Sequence, residues 1–143
     1  SGAVYLACLA DLVGRAEESG NLSRALALAE KLAALHPGEE SDALLLDSLR
    51  LLGRKEMVDS VLASLPPERA TSPSVLAVRA LVARDRGDTA FAARAAAAIA
   101  PYFPGTALSR DAADPASWPR TYPGLTRPLE PRHPDRKDVA APR

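Results

Sequence analysis

The chain has 143 residues, 47% of them apolar and 25% charged, with a formal net charge of zero. That length supports one modest core, and the neutral balance gives no electrostatic footing for nucleic acid or an anionic membrane surface. Alanine and leucine dominate while aromatics reach only 4%, a helical bias, and β-branched runs with period-two alternation are missing, which excludes a substantial sheet.

The chain opens Ser1-Gly2 without methionine, which reads as a processed or cut end. Ala3 to Ser19 is the first predicted helix, with Leu9, Leu12, Val13 and Ala16 on one face. Cys8 is the only cysteine and sits in an apolar run, so a buried thiol is expected, in the cytoplasm rather than the periplasm. Gly20 stops this helix, and Asn21 caps a second one over Leu22 to Leu35. The sequon Asn21-Leu22-Ser23 is accounted for by that capping role. His36 and Pro37 close the second helix, the histidine where a cationic ring suits the helix dipole.

Glu39 and Glu40 open a third helix, acidic where the dipole favours it. Leu45, Leu46, Leu49 and Leu52 form its stripe, and Gly53 ends it. A fourth helix from Arg54 to Leu65 buries Met57, Val58, Val61, Leu62 and Leu65 before Pro66-Pro67 breaks it. Ser72-Pro73 starts a fifth, which runs to Arg86 and Gly87. Asp88 caps the sixth, with the alanine run 95–98, up to Pro101. No apolar run approaches the roughly 18 residues of a membrane span.

Gly20, Gly53 and Gly87 are 33 and 34 residues apart. A period of that size signals stacked helical hairpins, none of which buries its apolar face alone. Aligned on those glycines, the first unit reads Leu12, Ala16, Gly20, Ala25, Ala29, Leu32, Pro37. The second reads Leu45, Leu49, Gly53, Val58, Leu62, Leu65 with an early Pro66, and the third Ala80, Ala83, Gly87, Ala92, Ala96, Ile99, Pro104. On these residues the chain resembles the tetratricopeptide repeat family over about residues 6 to 104. Leu9, Asp42 and Leu76 replace the family's large aromatic, which leaves a related α-solenoid or a plain six-helix bundle as alternatives. The expected fold is therefore all-α: three antiparallel hairpins over residues 3–104, then a proline-rich, extended tail over 105–143.

The resemblance implies a concave groove lined by the first helix of each hairpin, and a protein or peptide as its partner. By analogy the partner-binding positions are Ala10, Gly14 and Glu17, then Ala43, Asp47 and Arg50, then Ala77, Leu81 and Arg84. Alanine, glycine, aspartate and leucine at these places do not suit the acidic C-termini of heat-shock chaperones. The function implied is that of an interaction module: an adaptor, secretion chaperone or assembly factor. The alternative is a non-catalytic helical segment of a larger bacterial enzyme or of an envelope or secretion protein.

Residues 105–143 hold seven of the 13 prolines. Asp114 to Trp118 suggests one helical turn, with a polyproline-like course beyond it. Thr106 to Ala113 offers no convincing capping helix. Trp118, Tyr122, Leu125 and Leu129 give the tail unusual apolar content, so it is expected to dock on the last hairpin, in its own groove or in a neighbouring molecule's. Trp118 and Tyr122 are the anchors. Only His36 and His133 could serve as neutral-pH bases, and both are explained by their positions. No metal-ligand spacing, phosphate loop or nucleophile elbow is present. Neither catalysis nor a cofactor is expected.

Overall fold

Three glycines set the path of the chain. In a computed structural model, which describes residues 2–130, Gly20, Gly53 and Gly87 have φ of 84°, 76° and 85°. A Cβ would be strained in that left-handed region. At each site the glycine N–H donates to the carbonyl three residues back, and the next N–H donates to the carbonyl five back, all at 2.8–3.1 Å. This is the two-bond helix ending that satisfies orphan carbonyls and turns the chain sharply. The three turns join α1 (Gly2–Glu18) to α2 (Leu22–Leu35), α3 (Glu39–Leu51) to α4 (Lys55–Ser64), and α6 (Pro73–Asp85) to α7 (Thr89–Ile99).

N-caps follow the sequence signals. Asn21, Ser72 and Asp88 accept from the backbone N–H three residues on. Arg54, in the same place before α4, makes no side-chain cap bond. All the described secondary structure is helical. Among the described residues no strand forms, and an isolated antiparallel bridge joins Thr106 to Pro128.

Small side chains let the helices approach closely: Ala25, Ala29, Ala92 and Ala96 are fully buried. Helix α3 is the hub, in contact with α1, α2, α4 and α6. The middle hairpin is the loosest, because α4 ends at Ser64 before Pro66-Pro67 and buries only Val58. Met57, expected inside, is exposed, and Val61, Leu62 and Leu65 are half-buried. A short α5 (Pro67–Ala70) follows, from which Arg69 pairs with Asp42 on α3 through two bonds of 2.7 and 2.8 Å.

Two further expectations for α1 need correction. Cys8 and Leu12 are exposed, because the helix is covered only on the side that carries Leu9, Val13 and Ala16. An apolar residue one position before that stripe points to solvent, whereas Gly14 and Glu17, one position after it, are buried.

The C-terminal part also differs from an extended tail. Residues 100–102 and 115–117 form 3-10 turns, and α8 (Ala107–Arg110) and α9 (Tyr122–Thr126) are short helices. The start of α8 is a reciprocal capping box between Thr106 and Ser109, a pairing that local apolar content does not reveal. Ala107, Leu108, Trp118, Tyr122 and Leu125 belong to the same buried cluster as the six longer helices, so packing does not divide at residue 105. Leu129 stays exposed. His133 lies outside the described residues.

Ala92→Leu should overpack the last hairpin and destabilise the fold by about 1–3 kcal/mol, while Ala97→Leu on the exposed side of α7 should stay within about 0.5 kcal/mol. Urea denaturation followed by circular dichroism distinguishes them, and equal effects would contradict the packing.

Candidate functional site

Helices α1, α3 and α6 each present one helical stripe to a common face. On α1 it carries Ala10, Gly14 and Glu17; on α3, Ala43, Asp47 and Arg50; on α6, Ala77, Leu81 and Arg84. These are the positions expected to meet a partner. In the structure Gly14, Asp47, Arg50 and Arg84 meet the chain's own residues 118–123. Glu17, Ala43, Asp47, Ala77 and Leu81 are fully buried. Gly14 is buried and Ala10 half-buried. The Arg50 and Arg84 side chains keep only 6% and 16% exposure, which makes them structural clamps rather than free groove cations.

The clamp works on main chain. Arg84 Nη1 donates to the carbonyls of Trp118 and Pro119 at 3.3 and 3.2 Å. Arg50 Nη2 donates to the Arg120 carbonyl. Asp47 Oδ2 accepts from the Tyr122 N–H at 2.9 Å. Arg50 is itself aimed by Asp47, at 2.8 and 3.0 Å, and by Asp85 at 2.6 Å.

Side chains of the segment complete the fit. Tyr122 Oη donates to Glu40 Oε1 at the rim, 2.5 Å away. Trp118 Nε1 donates to the Asp111 carbonyl at 2.7 Å, and Leu125 is fully buried. Pro123 lies against Gly14, where an added Cβ would sit 3.5 Å from its ring. A methyl there would make ordinary van der Waals contact.

The floor holds an unusual carboxyl pair. Ser48 Oγ donates to Glu17 Oε2 at 2.9 Å, and the neutral Glu17 carboxyl donates in turn to Asp47. Burial, and next the neighbouring Asp47 charge, push the Glu17 carboxyl up to about 9. Burial likewise raises the Tyr122 phenol well above its usual range, assisted by Glu40.

Glu40, Ser48 and Asp85 join this site without having been singled out for it. Glu40 lies three residues before Ala43 and shares its stripe, but its place in the first turn of α3 reads as dipole compensation. The arrangement as a whole binds backbone: two guanidiniums for three carbonyls and one carboxylate for one N–H. Among the described residues no three His, Cys, Asp or Glu side chains form a metal-binding group. Neither protein-family models, curated proteins nor solved structures give a significant match to the chain.

The Glu17 carboxyl sets a pH signature. Its folded value lies above the ordinary 4.5, so its contribution to stability is complete below about pH 4.5. It is then lost progressively as the pH rises through about 9. Glu17→Gln keeps a neutral group at the site. Relative to the parent chain it should gain on the order of 1–3 kcal/mol between about pH 5 and pH 9. Urea midpoints across that range measure the gain, and parallel pH profiles would refute it.

Proposed function

We propose that the chain is a tetratricopeptide-like interaction module whose inner face, formed by α1, α3 and α6, recognises a segment of another protein. The observation that supports it is the mode of contact on that face. Side chains from α3 and α6 bond the backbone of a short aromatic and proline-bearing segment, which is how a peptide site grips its ligand.

The repeated glycine turns 33 and 34 residues apart and the contacts that link α1 to α3 and α3 to α6 support a stacked-hairpin reading. Such stacks create a continuous concave surface from the first helix of each unit. No helix of the described residues is long and apolar enough to cross a membrane. In this reading the protein works as an adaptor or assembly factor rather than as a catalyst.

Panning a displayed random-peptide library against the full chain tests this. Saturable binders are expected whose affinity falls about tenfold when Ala10→Arg or Arg84→Ala alters the inner face. A chain that selects no binder, or only binders indifferent to every inner-face substitution, would overturn the proposal.

A further inference from the structure

The inner face is assembled from groups that suit water as well as protein. Glu17, Asp47, Arg50 and Arg84 all lie beneath residues 118–126. A permanently covered floor gains little from such charges, since buried ion pairs are often replaced by apolar side chains without loss. Closing the face buries the Glu17 carboxyl fully beside that of Asp47, which is a direct penalty of the closed arrangement. With the segment away, water reaches both. The Asp47–Arg50 and Arg50–Asp85 pairs persist, because both lie wholly within α3 and α6. The polar floor thus weakens the closed state and lowers the penalty of the open one.

The segment also shows what the face selects. Pro119 and Pro123 carry no N–H, so Trp118 to Pro123 is rich in carbonyls and poor in donors. The floor mirrors that ratio, with Arg50 and Arg84 serving three carbonyls and Asp47 serving one N–H. Proline also limits the freedom lost on docking.

We infer that residues 118–126 are an exchangeable occupant of the inner face, and that the partner it takes is a proline-bracketed, tyrosine-bearing segment of another protein. This rests on the interaction-module reading and specifies its ligand. The partner segment offers successive carbonyls to Arg84 and Arg50, one N–H to Asp47 and a phenol to Glu40.

The test uses the full chain. Native-state hydrogen exchange should show the Tyr122 and Leu125 amides opening about 100-fold more readily than those of Val78 and Leu81 in α6. A capped peptide of residues 116–127, with phenylalanine in place of Trp118, is the competing probe. Added in excess, it should shift the emission of the single Trp118 of the chain toward that of an exposed indole. The same peptide with alanine for both prolines should compete about tenfold less well. Tyr122→Ala with Leu125→Ala in the chain should bind the labelled peptide about tenfold more tightly than the parent. Arg84→Ala in that background should remove the gain.

Segment amides that exchange only with those of α6 would overturn the inference, whether or not the double variant folds. So would a Trp118 emission indifferent to the peptide. Either result in a chain that still selects library peptides rejects this ligand and leaves the module reading standing. Failure of both experiments rejects the two together.

Discussion

One carboxylate organises the inner face. Asp47 sits at the middle of α3, fully buried, and bonds Arg50 and the Tyr122 N–H. Through Arg50 it fixes Asp85 on α6 and the Arg120 carbonyl. Beside it, Glu17 on α1 is kept neutral because a second negative charge there has no solvent to disperse it. Three helices and the C-terminal segment therefore depend on one ionised group. Removing it would leave the Tyr122 N–H without its acceptor and Arg50 with Asp85 as its remaining carboxylate, a larger loss than deleting a surface pair.

That dependence explains why α3 is polar on a face where a core helix is usually apolar. Ser41, Asp42, Asp47 and Ser48 are all buried, and each has a hydrogen-bond partner. Buried polar groups of this kind fix geometry more than they add stability. Here Asp47 sets where the backbone at Tyr122 lies, Asp42 holds α5 through Arg69, and the apolar anchors Trp118, Tyr122 and Leu125 supply the burial that holds the segment there.

Much of the helical skeleton is legible in the sequence because it is written in local chemistry. Gly20, Gly53 and Gly87 each end a helix, and Asn21, Ser72 and Asp88 each start one. Burial of Ala25, Ala92 and Ala96 follows from spacing. Sequence misleads where one residue's fate depends on another element. Cys8 and Met57 look apolar in sequence, yet no helix covers them. Ala107 and Leu108 look like loop residues until α7 and α9 enclose them. The apolar content of Trp118 and Tyr122 does point to a docked tail, and both are buried, but the polar contacts that receive it on the inner-face positions are not legible in the sequence. Arg50 and Arg84 read as free cations because nothing local shows that backbone carbonyls some 35 to 70 residues away arrive above them.

A row of hairpins, each touching its neighbours, forms and melts piece by piece, since no contact requires the whole row. The seated C-terminal segment changes that rule. It reaches from Trp118, bonded by α6, back to Arg127, which pairs with Glu18 on α1 across 109 positions of sequence. The Arg127–Glu18 pair closes a chain loop of 109 residues, an entropic cost that makes it a late contact in folding. While the segment is seated, it ties α1 to α6, so the loosening of either is felt by the other.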